Sequence, residues 1–299
     1  MSQSDLADRI DRLRETLFRS EKTVYVFVDP LLRDPFDRDA LAVGGQRAHV
    51  VDVPNWGVGP KEYPYFVALR SSLDRLLDHS YVLALDQAQG NADIRSLCGW
   101  FVSDLPVAQI KRLFAAQMRR AAGGEPWLFR FFDPRVTRHL SAVFADQGAV
   151  AGVEHWWFVD YRGETQVVRG IHEPMAALHI NAEQQLKIDR IGVLNQAFSQ
   201  WQESAEPPHD AFFRLDQAAS KAQGLGFSIE DEADCVAFML HRCIVHPKIE
   251  EHPQVADWIA AMRSKEANYV DLAAQSDERL WVDIESGHWT AGKQGARHG

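Results

Sequence analysis

Cysteine is scarce in this chain: Cys98, Cys235 and Cys243 are the three among 299 residues. So few, odd in number and widely scattered, they cannot build a disulfide framework and fit a reducing compartment. Long hydrophobic runs are also missing. No uninterrupted apolar stretch approaches the ~20 residues of a membrane-spanning helix. The opening MSQSDLADRIDRLRETLFRS lacks the apolar segment and small-residue cleavage site of a secretory signal. Positive charge is in deficit, with 32 Lys and Arg against 42 Asp and Glu, a formal −10. That balance argues against a nucleic-acid partner. Together these absences predict a soluble, cytoplasmic protein with no membrane partner.

The usual catalytic signatures are absent as well. There is no G-x-x-x-x-G-K-[ST] phosphate loop, no G-x-S-x-G elbow and no H-E-x-x-H pair, and Gly224-x-Gly226 lacks a third glycine and follows a helix pattern. Neither a catalytic residue nor a cofactor is predicted.

What is present is the composition of a globular protein, 46% hydrophobic and 25% charged, long enough to bury roughly 75% of its extended surface. Leu6, Ile10, Leu13 and Leu17 recur at helical spacing, and Thr23 to Val28 is a β-prone apolar run stopped by Asp29-Pro30. Further strand-like segments are Ala48–Val53, Tyr81–Leu85, Cys98–Val102, Trp127–Phe132, His155–Val159 and Thr165–Arg169. Helical patterns lie between several of them: Phe66 to Leu77, Val107 to Phe114, and Val136 to Phe144. Ser103-Asp104 is placed to cap the second of these, and Asp160-Tyr161-Arg162-Gly163 to turn a hairpin. From Asn181 on, four helical stretches follow: Ile191 to Trp201, Phe212 to Ala219, Ala233 to Ile244 behind a Ser228/Asp231 capping box, and one opened by Pro253. The predicted class is α+β or α/β, a mixed-sheet N-terminal lobe flanked by helices and followed by an all-helical lobe. Expected boundaries are 1–175 for the sheet lobe, 176–292 for the helical lobe and 293–299 for a frayed tail, with fraying from Gly287.

Two constellations invite chemistry. Asp29, Asp52, Asp86, Asp133 and Asp160 stand at or near expected strand ends, where carboxylates can gather around Mg²⁺ for phosphoryl or nuclease chemistry. Aspartate also ends strands simply by capping turns. His241, Cys243, His246, Cys235 and His252 suggest a metal site, but Cys235 and Cys243 on one helix would stand ~12 Å apart, too far for one zinc. No metal ligand is assigned.

The most distinctive segment is Trp127 to Arg135. Strand alternation puts Leu128, Arg130 and Phe132 on one face and Trp127, Phe129, Phe131 and Asp133 on the other. An arginine among aromatics in a central strand needs a carboxylate partner, because a lone buried guanidinium costs several kcal/mol. Asp133 is placed to cap a helix beginning at Pro134-Arg135. The residues read as a structural anchor.

Several segments in order, VYVFVDPLL, PYFVAL at Pro64 to Leu69, WFVSDLPVAQIKRLFAAQM at Trp100 to Met118, FRFFDPRV at Phe129 to Val136 and the Trp156-Trp157 strand, resemble the type VI secretion effector chaperone family (Tap/TEC adaptors). The resemblance covers roughly residues 22 to 165, with Arg130, Asp133, Pro134 and Arg135 as its signature. It implies a non-enzymatic adaptor that binds a cognate toxin effector in the cytoplasm and promotes its loading onto the VgrG spike protein. The alternative from the residues alone is a metal-dependent phosphotransferase or nuclease using Asp29, Asp86 and Asp133.

For a partner surface, aromatic residues favour desolvated interface centres, and Trp56, in a Pro-Asn-Trp-Gly loop, and Trp201, before Pro207-Pro208, are the candidates. Charge offers a second pointer: residues 181–292 hold 9 Lys and Arg against 19 Asp and Glu, a net −10, whereas residues 1–180 sum to −2. Glu230, Asp231, Glu232 and Asp234 are therefore candidate docking residues for a basic partner.

Overall fold

The computed structural model describes residues 3–53, 56–90, 95–122, 125–171 and 180–289. It divides into two compact units, Met1–Gln184 and Gln185–Gly299. The boundary expected at 175/176 and the tail 293–299 lie outside the described residues.

In the first unit the apolar runs become strands because both of their faces are covered. Helix α1 (Gln3–Leu17) buries Ile10, Leu13 and Leu17. Then come β1 (Thr23–Val28), α2 (Arg38–Val43), β2 (Ala48–Val50), β3 (Tyr65–Ala68), α3 (Arg75–Gln89), β4 (Leu97–Ser103), α4 (Val107–Met118), the paired β5 (Arg119–Ala122) and β6 (Glu125–Leu128), α5 (Pro134–Phe144), β7 (Val150–Ala151), β8 (His155–Val159) and β9 (Thr165–Ile171). Seven strands form one sheet in the order β2-β3-β1-β4-β8-β9-β7. Its pairings are antiparallel except β7 beside β9, so the sheet is mixed, as expected. The long run of β1 fits a fully covered strand, although its neighbours β3 and β4 are both antiparallel to it.

Strand alternation sorts the side chains into two cores. Val24, Val26, Val28, Tyr65, Val67, Trp100, Val102 and Trp157 pack with Leu13 of α1 and Leu77 and Tyr81 of α3. On the opposite face Phe27, Phe66, Phe101 and Trp156 meet Phe114 of α4, at ring separations of 5.3 to 6.1 Å. Polar groups in the first core find partners: Trp100 Nε1 donates to Ser80 Oγ at 2.9 Å and the Tyr65 hydroxyl to Asp34 at 2.6 Å.

Three local readings are corrected. Tyr81–Leu85, expected as a strand, lies within α3, where Leu77, Tyr81, Ala84, Leu85 and Ala88 share the buried side and Asp74 caps the start through Leu76 N–H. Phe66 to Leu69, expected as helix, is β3 and its exit, held in register by Val26 opposite Val67. A short apolar run carries no period of its own, and tertiary pairing decides it. The cap of α4 is Pro106, while Ser103 Oγ donates to Gly152 O at 2.7 Å and accepts from Leu105 N–H. The expected hairpin turn is present: Asp160 accepts from the N–H groups of Arg162 and Glu164.

The second unit begins within α6 (Ala182–Asp189), which Asn181 and Gln184 open as a reciprocal capping box. It continues through α7 (Ile191–Ser204), α8 (Ala211–Gly224), α9 (Glu232–Leu240), a π turn at 241–245, α10 (Pro253–Arg263), α11 (Tyr269–Ala274) and α12 (Glu278–Ser286). The stripe Ile191, Leu194, Phe198 and Trp201 is buried as its spacing predicts. The Ser228/Asp231 capping box does not form; Ser228 Oγ accepts from Glu230 N–H instead. Helices α11 and α12 lie outside the four helical stretches expected from the sequence, being only six and nine residues long. Gly287, expected to fray, is the left-handed cap of α12, and Trp289 Nε1 donates to Ile284 O. Among the described residues no helix is long and apolar enough to cross a membrane.

Candidate functional site

The signature segment is not the strand its alternation suggested. β6 ends at Leu128, Phe129 N–H bonds Met118 O, and the chain then turns so that Asp133 N–H reaches Arg130 O. The turn lets two successive rings, Phe131 and Phe132, enter the same aromatic core. Phe131 lies 5.5 Å from Phe114 and 5.9 Å from Trp156, and Phe132 lies 5.1 Å from Phe27. Asp133 then caps α5 through Arg135 N–H, with Pro134 at the first helical position, as read from the sequence.

The charged residues of the segment form a clasp at the end of β1. Arg130 donates to Asp29 and stands 3.6 Å from Asp133, while Arg135 grips Asp133 bidentately at 3.0 and 2.8 Å. Arg130 thus has the carboxylate partner that its surroundings demanded. The two aspartates are pushed in opposite directions. Burial raises the Asp29 carboxyl, and its arginine and the Leu31 N–H only partly offset this. Burial also acts on Asp133, but the hydrogen bonds and charge of Arg135, with Arg130 behind them, hold it below the usual carboxylate range. Two arginines that the sequence reading missed belong to the same neighbourhood. Burial and the nearby Arg135 push the Arg95 guanidinium down to about 10, and burial and Arg95 push Arg138 down to about 9. Arg138 follows Arg135 by about one turn of α5, whereas Arg95 precedes β4 and shares no local motif with Asp133.

Of the five aspartates singled out, the structure brings Asp29 and Asp133 together around Arg130. Asp86 sits exposed on α3, Asp52 is exposed past β2, and Asp160 is committed to the hairpin turn. The cysteine and histidine set is likewise dispersed into packing. Cys235 lies against Met239, and His241 bonds the Tyr269 hydroxyl through Nδ1 at 3.0 Å. His252 pairs with Asp283 at 3.1 Å. Burial raises the Cys235 and Cys243 thiols to about 11 and lowers His241 to about 4, so thiols and imidazole are held neutral. Among the described residues no three His, Cys, Asp or Glu side chains are disposed to share a metal ion.

The candidate partner residues separate by burial. Trp56 is half-buried and stacks on Tyr63 at 5.9 Å. Trp201 is 5% exposed inside the helical unit, so its ring is already covered by its own chain. Glu230, Asp231 and Glu232 are exposed, whereas Asp234 is buried and accepts from the N–H groups of Tyr269 and Val270, capping α11. Asp234 is therefore a packing residue, and the exposed acidic surface at this point is Glu230 to Glu232.

A groove of about 450 Å³ lies along the first unit, lined by Arg9, Arg12 and Thr16 of α1, Tyr81 and Trp157 from the core, and Thr165 and Val167 of β9. Nothing along the chain marks it in advance, because its lining comes from α1, α3, β8 and β9, which are far apart in sequence.

Residues 24–149 match the model of a family described as a domain of unknown function, DUF4123. The match begins in β1 and takes in the whole Arg130 to Arg135 clasp. No curated protein and no solved structure matches the chain.

Proposed function

We propose that this protein is a non-enzymatic adaptor that binds a cognate type VI secretion effector and promotes its loading onto the VgrG spike. The observation that carries this reading is the DUF4123 match over residues 24–149, a family associated with such adaptors. The geometry of the clasp supports it: Asp29, Asp133, Arg130 and Arg135 are engaged with one another and with the start of α5, which suits holding a fold together rather than turning over a substrate. The phosphotransferase or nuclease alternative is not favoured, because Asp86, one of its three carboxylates, lies on α3 and not at a strand end.

Co-expression with the toxin encoded beside it should give a complex that survives size exclusion, and deleting the adaptor gene should abolish secretion of that toxin while leaving the spike exported. Separate elution together with undiminished toxin secretion would overturn the reading.

Acidic docking has its own kinetic test. Changing Glu230, Asp231 and Glu232 together to lysine, with the Asp234 cap left intact, is expected to slow association with the toxin several-fold at low salt and little at high salt. An unchanged on-rate at low salt would remove that surface from the interface.

A further inference from the structure

The strand β9 carries an open edge. Its pairing with β8 leaves alternate residues facing outward: Gly170 N–H bonds Glu154 O on the β8 side, while Arg169 O and Ile171 O accept Ala149 N–H and Gly152 N–H on the far side. The N–H and C=O of Thr165 and Val167 therefore point away from β8. β7 covers the edge only at Gly170 and Ile171, and among the described residues nothing bonds the outward groups of Thr165 and Val167. Side chains do not shield the stretch, since Thr165, Gln166 and Val167 are exposed, Val167 by 50%. Natural sheets usually blunt such an edge with charge, proline or a cover.

Beside this edge lies the groove already described, whose lining carries two arginines against one glutamate. Arg9 Nη1 donates to Gly163 O at 2.6 Å and Arg12 Nε to Asp8 O at 3.2 Å, both carbonyls, and neither guanidinium has a carboxylate partner among the described residues. Glu164 is the single acidic side chain in the lining. The groove thus offers a row of backbone donors and acceptors on one side, two arginines on the other and an apolar floor of Leu13, Trp157 and Tyr81.

We propose that this groove receives an extended acidic segment of another protein, added as a further strand against Thr165 and Val167 with its carboxylates toward Arg9 and Arg12. Main-chain bonds would supply affinity, and alternate side chains the choice of segment, as in other strand additions. The proposal rests on the adaptor reading only for the identity of the donor, so peptide and complex are tested separately.

The probe is a fluorescein-labelled peptide of alternating glutamate and valine, titrated by anisotropy, with its lysine-for-glutamate counterpart as control. The acidic peptide should bind saturably and more weakly as salt rises; the lysine peptide should not. Val167→Pro removes one outward N–H without touching the β8 ladder and should weaken binding about tenfold. Arg12→Glu, on an exposed helix face, should weaken it several-fold and decides the matter should the proline variant melt early. Equal binding by wild type and both variants, or by both peptides, overturns the proposal. So does a wild-type dimer that Val167→Pro dissociates, which would make a second copy the occupant. A toxin complex indifferent to both variants removes the groove from the toxin interface and leaves the adaptor reading standing. Peptide binding without any toxin complex does the reverse.

Discussion

Gly99→Ala is expected to cost about 3–5 kcal/mol and to leave little soluble protein. Gly99 sits in the middle of β4 at φ +138°, a backbone conformation that residues with a side chain rarely adopt, and a Cβ there would stand 2.1 Å from Trp157 O. The cause is a bulge. β1 pairs Phe27 with Gly99 but Val28 with Leu97, so Cys98 is an extra residue in β4. Its carbonyl accepts the Trp156 indole at 3.3 Å, and that ring closes over Gly99. The bulge also brings Ser96 O to the Asp29 N–H, fixing the residue on which the clasp depends. Urea denaturation is the measurement, and an alanine variant unfolding at the wild-type midpoint would overturn this account of β4.

Arg130→Ala is expected to cost about 2–4 kcal/mol at neutral pH, at the low side of what breaking a buried ion pair costs because 28% of the arginine side chain remains in solvent. The loss strands the Asp29 carboxylate, whose side chain is 2% exposed. The pH dependence has a definite sign. Burial already raises the Asp29 carboxyl above its ordinary value, so its folded form holds a proton more tightly than the unfolded chain does, and the stability tied to it declines as pH rises through the folded pKa. Removing Arg130 raises it further. The gap in melting temperature between wild type and variant should therefore be small near about pH 4, close to the ordinary aspartate pKa, and widen toward neutrality. Asp29→Asn added to Arg130→Ala should recover most of the loss, since the stranded charge is gone while an amide oxygen still accepts from Leu31 N–H. A wild-type melt with lost toxin binding would instead make Arg130 an interface residue.

These two residues show how unevenly the sequence was legible. The need of Arg130 for a carboxylate followed from elementary electrostatics, and so did the Asp133 cap with Pro134, because a cap is a local event spanning a few residues. That the partner is Asp29, 101 positions away, was not readable. By sequence Asp29 is a strand-end carboxylate, and nothing local ties it to Arg130. The Trp127 to Phe132 alternation misled for a related reason: a run rich in β-prone aromatics fits a strand, but burying Phe131 and Phe132 side by side required a turn. In the helical unit, aromatic type points to Trp201 and regional charge to Asp234 as partner residues, but burial commits both to internal packing.

From the sequence alone came the class, a sheet lobe followed by helices, together with the caps, the acidic bias of residues 181–292 and the motif that carries the family likeness. Each of these is set by neighbours along the chain or by composition. The tertiary structure decided strand order, the Gly99 bulge, the pairing of Arg130 with Asp29 and the bare edge of β9 beside Arg9 and Arg12. Those depend on which distant segments meet: among the described residues, no other strand reaches the outward groups of Thr165 and Val167.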